Sequence, residues 1–240
     1  IWHDARKSRI VIGLLVALLS FGLNTTIRGT INLDWQHLYR PEDFHTWGDL
    51  WAFLGGLQTG ISPVWAFLEV GAQLIFGTTA MFSYGLYPLS IGLNAYWSTT
   101  LFARTRLQVL VSAGMTLVFA VAIRYMHKGN SEMYDMLMPC MILGWLAALQ
   151  HMRDAGSTDR QRLWMALLAG AVLSLLELTR TLIFPLMPFF LLGAFVALRA
   201  LPIRYYLLFL LPILLFSGGW HLKQIVCHGQ VHWTNFDGFN

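Results

Sequence analysis

Charge is what this chain has least of. Asp, Glu, Lys and Arg make up 12% of its 240 residues, against roughly a quarter in a soluble domain. With 56% hydrophobic residues and a mean hydropathy of +0.56, that scarcity excludes disorder, coiled coil and an ordinary water-soluble enzyme. Cysteine is scarce too: Cys140 lies in an apolar run and Cys227 in the C-terminal tail. Two such thiols exclude a disulfide scaffold, and neither has metal-ligand spacing. Basic clusters are also absent. The net charge is +4, but Lys and Arg stand in ones, twos and threes. That pattern argues against a nucleic-acid partner and reads instead as an orientation signal. No cleavable signal peptide, internal repeat or low-complexity tract is visible, and the inverted repeats of many transporters are not apparent.

What is present is a series of long apolar runs and ten Trp. An all-α, polytopic membrane helix bundle follows, because a bilayer needs about 20 mostly apolar residues per helix. Seven runs qualify: Ile10–Asn24, Ala80–Ala103, Leu107–Arg124, Met133–Gln150, Leu163–Thr179, Leu182–Leu198 and Tyr205–Gly219. The shorter stretch Ser62–Gly77 contains Glu69, Gln73 and two glycines. The positive-inside rule decides its place. Arg6, Lys7 and Arg9 set the N-terminus in the cytoplasm. Arg104 with Arg106, Arg153 with Arg160 and Arg162, and Arg199 with Arg204 join them on that side only if 62–77 does not cross. The stretch then reads as an interfacial helix, and the chain as a single module, residues 1–240. Its outer loop is 25–61, and its outer C-terminal segment, 220–240, is expected to be truncated.

The outer side collects Asp34, Glu42, Asp43, Asp49, Glu69, Glu132, Asp135 and Asp237, with His37, His45, His127, His221, His228 and His232. Chemistry is expected there. Just after the first span, Asp34 is followed by Trp35, His37 and Tyr39. The carboxylate could accept a proton from a nucleophile, and the other three could position a sugar or phosphate. On spacing alone the loop reads first as a solvated segment with interfacial Trp and Tyr anchors. A second turn holds Arg124, His127, Lys128, Glu132 and Asp135. Glu132 and Asp135 share one helix face and suit a helix N-terminus, yet Asp135 stands where the helix enters lipid, a costly place for an acid. In Glu177-Leu-Thr-Arg180 the arginine could grip a phosphate, or simply pair with Glu177 at i,i+3. Pro185 and Pro188 should kink the helix that follows. In the tail, Lys223 and the histidines could meet anionic groups.

The order of these features resembles the integral-membrane glycosyltransferases of the GT-C fold, nearest the protein O-mannosyltransferases and the lipid A aminoarabinose transferases. The resemblance covers nearly the whole chain as a succession of weak motifs. Its most specific parts are Leu175-Leu176-Glu177-Leu178-Thr179-Arg180 and Thr234-Asn235-Phe236-Asp237-Gly238-Phe239-Asn240. It implies a seven-span module with two juxtamembrane helices in the first outer loop. It also implies sugar transfer from a polyprenyl-phosphate donor on the periplasmic or lumenal side. Asp34 would be the acceptor-activating base and Asp135, with Glu132 beside it, the acidic position of the second outer loop. Arg180 would be a ligand of the donor phosphate, with Lys128 and Lys223 as further candidates. Departures from the family pattern are Trp35 beside Asp34, Ser62-Pro63 in place of a Pro pair, Thr181 after Arg180, and no C-terminal outer domain.

The leading reading is therefore a membrane glycosyltransferase whose partners are a lipid-phosphate-linked sugar and membrane lipids. No cofactor is assigned, and no metal is supported by ligand spacing. The alternative is a catalytically silent GT-C-like subunit held among other membrane subunits. A transporter ranks last, because the charges gather on one face.

Overall fold

The computed structural model describes residues 5–26, 40–56, 62–77, 80–127, 132–179 and 181–229. Among them all regular structure is helical and no strand occurs. In chain order the α-helices are α1 (Ala5–Thr26), α2 (Trp47–Gly56), α3 (Pro63–Phe76), α4 (Ala80–Phe102), α5 (Arg106–His127), α6 (Glu132–Arg153), α7 (Asp159–Thr179), α8 (Met187–Leu198), α9 (Ile203–Pro212) and α10 (Gly219–His228). The chain divides into two compact units. Unit 1 is Ile1–Trp47 with Leu68–Leu143, and unit 2 is Gly48–Phe67 with Gly144–Asn240.

Unit 1 is organised by α1 lying along α4, with α5 folding back on α4. The contact uses small residues. A Cβ on Gly92 would fall 2.7 Å from both the Ala17 Cβ and the Gly13 carbonyl oxygen, so only glycine allows the two backbones to come this close. On α1 the polar or small face is turned inward: Ser8, Val16 and Ser20 are buried, while Leu14, Leu15, Leu18 and Leu19 are exposed. A helix packing in water would do the reverse. α5 repeats the pattern, burying Val109, Ala113 and Ala120 and exposing Leu107, Leu110, Met115 and Val118. Hydrogen bonds hold the α4–α5 hairpin, from Tyr87 Oη to the Ala120 carbonyl at 3.0 Å and from Ser112 Oγ to Ser98 Oγ at 3.0 Å. At the hairpin end, Arg9 donates to the Ala103 carbonyl at 3.1 Å, serving one of the acceptors that the end of α4 leaves open.

The helices α5 and α7 begin with the same device. Thr105 and Gln108 exchange backbone and side-chain hydrogen bonds, and so do Thr158 and Gln161. Each Thr-x-x-Gln closes a capping box over amide groups that the first helical turn leaves without partners.

Unit 2 is organised by two parallel helical stretches. α7 runs beside α9 and α10, and four contacts mark the register along their length. Arg204 bridges to Asp159 at 2.6 Å, and Tyr205 Oη also donates to Asp159. Gly170 meets Phe209 and Pro212. The Ser217 amide donates to Ser174 Oγ at 3.1 Å, and Glu177 meets His221. α8 packs against α9, with Tyr206 donating to the Leu191 carbonyl and Phe195 set edge-on against Tyr206.

Two departures from the expected segment boundaries are instructive. The run expected as a helix from Leu182 opens as a 3-10 segment, Thr181–Leu186, and α-helix begins only at Met187, since Pro185 has no amide to donate. The last run, expected to end at Gly219, continues to His228 through a π turn at Ile213–Gly218. Gly218 and Gly219 keep helical φ values of −59° and −61°, and the helix stops instead at Gly229, whose φ is +65°. There the Gly229 amide bonds the Ile225 carbonyl, the left-handed glycine stop.

Two of the described helical stretches, Asp159–Thr179 and Ile203–His228, are long and apolar enough to cross a membrane. α3 is shorter, about 21 Å at the usual rise per residue.

A Cβ on Gly170 would lie 2.0 Å from the Phe209 carbonyl oxygen. Gly170→Ala is expected to destabilise the purified protein by at least about 1–3 kcal/mol, read as a lowered melting temperature in detergent. Gly114→Ala, with nothing within 4 Å of its Cβ, is the control and should leave stability unchanged or raised.

Candidate functional site

The C-terminal end of α7 gathers the polar chemistry of unit 2. Glu177 is fully buried there, one helical turn beyond Ser174 on the face turned toward α10. Its Oε1 lies 2.7 Å from His221 Nε2. Neither Glu177 Oε2 nor His221 Nδ1 has a hydrogen-bond partner among the described residues, and both atoms are buried. Phe184, from the 3-10 segment, lays its ring against the imidazole with centroids 4.6 Å apart. A buried carboxylate is tolerated only when something shares or neutralises its charge. The imidazole supplies that through one shared proton, and Glu177 in turn orients the ring.

Two other helix ends, the start of α3 and the end of α2, belong to the same region of unit 2. Ser62 caps α3 by accepting the Trp65 amide at 3.1 Å, and its hydroxyl donates to the Leu178 carbonyl at 2.8 Å. Ser-Pro is well suited to this start: serine caps, and proline needs no amide partner at the first helical position. Thr179 Oγ1 returns to the Leu175 carbonyl at 2.6 Å. Lys223 donates to the Leu54 carbonyl at 2.7 Å and stands 4.4 Å from the centre of the Trp220 ring. An ammonium at the C-terminal end of α2 meets the negative end of that helix dipole.

The chain matches no family model, no curated protein and no solved structure.

Of the residues expected from the sequence, Asp34, Trp35, His37, Tyr39, Lys128 and Arg180 lie outside the described residues. Glu132 and Asp135 fall in the first turns of α6, in unit 1, where only the backbone is described. Lys223 is the one whose side chain is described, and it is engaged by Leu54 and Trp220. The Glu177 carboxylate is bonded to His221; Arg180, the partner that i,i+3 spacing offered, lies outside the described residues. The Glu177–His221 pair was missed as a pair. Its available signal was a carboxylate and an imidazole each closing an apolar run on the same expected side. Among the described residues no group of three or more His, Cys, Asp or Glu could hold a metal ion, and Cys140 and Cys227 are free thiols.

Removing one member strands the other in a buried site, so His221→Ala should cost about 3–5 kcal/mol. Replacing both, Glu177→Leu with His221→Leu, should be nearly neutral or stabilising, since no buried charge then remains. Thermal unfolding of the three proteins in one detergent checks the pattern.

Proposed function

We propose that the chain is a multi-pass integral membrane protein that transfers a sugar from a polyprenyl-phosphate donor to an acceptor on the periplasmic or lumenal side. In this reading seven segments cross the bilayer, the N-terminus is cytoplasmic, and α2 and α3 lie at the outer surface. The outward-facing leucines of α1 and α5 support a hydrocarbon surround, as do the two long apolar stretches of unit 2. Charge placement supports the orientation. In unit 2, Arg204 and Arg162 stand at the starts of α9 and α7, bonded to Asp159 and the Asp154 carbonyl respectively. The Glu177–His221 pair stands at the other end, about 27 Å along α7, close to the thickness of a bilayer core. The observation that carries the reading is this buried acid–imidazole pair among converging helix ends, directly before Arg180.

The mechanism assigned is a direct displacement. Asp34 takes the proton of the acceptor hydroxyl as its oxygen attacks the anomeric carbon, and the bond to the lipid phosphate breaks with inversion. Arg180, with Lys128, neutralises the departing phosphate, so no strong general acid is required. Trp35, His37 and Tyr39 position the sugar, and Asp135 with Glu132 forms the second acidic position.

A second reading, a catalytically silent structural subunit, is favoured by one observation: the Lys223 ammonium is engaged by the Leu54 carbonyl at the end of α2 and by the Trp220 ring.

Asp34→Asn should lower transfer by roughly a hundredfold or more, the usual worth of a general base, and Arg180→Ala should weaken donor binding. The assay is transfer in reconstituted vesicles from a panel of polyprenyl-phosphate sugars. Full transfer by Asp34→Asn would overturn its role. Recovery in fixed stoichiometry with other membrane subunits, with no transfer from any donor, would select the structural reading.

A further inference from the structure

The Glu177–His221 pair holds two hydrogen-bonding atoms in reserve. Glu177 Oε2 and His221 Nδ1 are both buried without hydrogen-bond partners among the described residues, while Oε1 and Nε2 are bonded to each other. Leaving two such atoms unsatisfied in a dry region is expensive, and the fold could have avoided it with two apolar residues. The surrounding structure instead holds the pair in place. Ser174 takes the Ser217 amide within the π turn, one helical turn before Glu177 and His221, which fixes how far α10 is rotated about its axis. Phe184 covers the imidazole from the segment that follows Arg180, and its own ring is partly exposed. One side of the imidazole thus meets a ring that itself reaches the surface.

Resting on the transferase reading above, we infer that Glu177 Oε2 and His221 Nδ1 form a subsite for a hydroxyl-bearing group, the sugar ring of the lipid-linked donor, reached when the Phe184 ring turns aside. A carboxylate oxygen accepts, and an imidazole nitrogen accepts or donates with its tautomer, so the two together match hydroxyl groups, which do both. They suit a polyol, and the carboxylate oxygen disfavours a phosphate, whose oxygens are themselves acceptors. The subsite therefore reads the sugar, and the phosphate is left to the cations. Phe184 offers an apolar face for a ring C–H surface beside them.

The test separates sugar from phosphate. Binding of a short-chain polyprenyl-phosphate hexose and of the same polyprenyl phosphate without sugar is measured on the full chain in nanodiscs by native mass spectrometry. The unsubstituted protein should bind the sugar-bearing lipid roughly ten- to a hundredfold more tightly, the effect of one or two hydrogen bonds to a charged group. The double variant Glu177→Leu/His221→Leu should lose that preference and keep its affinity for the sugar-free lipid. Glu177→Gln, which keeps the shape and one acceptor, should fall between. If the double variant keeps the full preference, the subsite is wrong while the transferase reading stands. If the unsubstituted protein binds neither lipid, the transferase reading falls and takes this ligand with it. Should the double variant not fold, a series of donors each lacking one ring hydroxyl, run on the unsubstituted protein, reads the same contact. Equal binding across that series overturns the subsite.

Discussion

Gly170 sits where the backbone of α7 meets that of α9, with the Phe209 carbonyl occupying the space a side chain would need. Much of unit 2 depends on that approach. It brings the two stretches close enough for Ser174 to reach the Ser217 amide and for Glu177 to reach His221. Further back it places Asp159 against Arg204 and Tyr205. One close contact thus sets the register for a polar pair at each end of the same helix pairing. Van der Waals contact between small residues can do this without a hydrophobic driving force.

The same logic runs through unit 1 with different residues. Gly13 and Gly92 admit close packing, and serines and threonines along α4 return their hydroxyls to carbonyls of their own helix. Several polar groups are turned inward, and many large apolar groups are left outside. An exposed apolar face is a liability in water, and a hydroxyl returned to its own helix is what a region without solvent requires.

Helix content was largely legible because it follows from the length of apolar runs, which is local. The capping boxes at Thr105 and Thr158 are local as well, written in four consecutive residues each. The end of the last helix was not. Gly218-Gly219 looks like a stop, but glycine permits a left-handed residue without requiring one, and both keep helical φ while Gly229 turns. The candidate site was least legible. Glu177 had a neighbour at i+3 that could pair with it, and nothing local prefers a histidine in a later helix.

Composition by itself showed that charge is too scarce to cover a water-facing surface, and the length of the apolar runs pointed to helices. Residue order then told where helices start and which ends carry basic residues. Only the tertiary structure decided that Glu177 belongs to His221, that Lys223 serves the end of α2, and that Ser62 joins α3 to α7. The physical reason is range: helix formation is governed by neighbours within a turn, whereas these pairings depend on how two helices are rotated and slid against each other. That rotation is set by where a glycine lets backbones touch and where a π turn adds its extra residue.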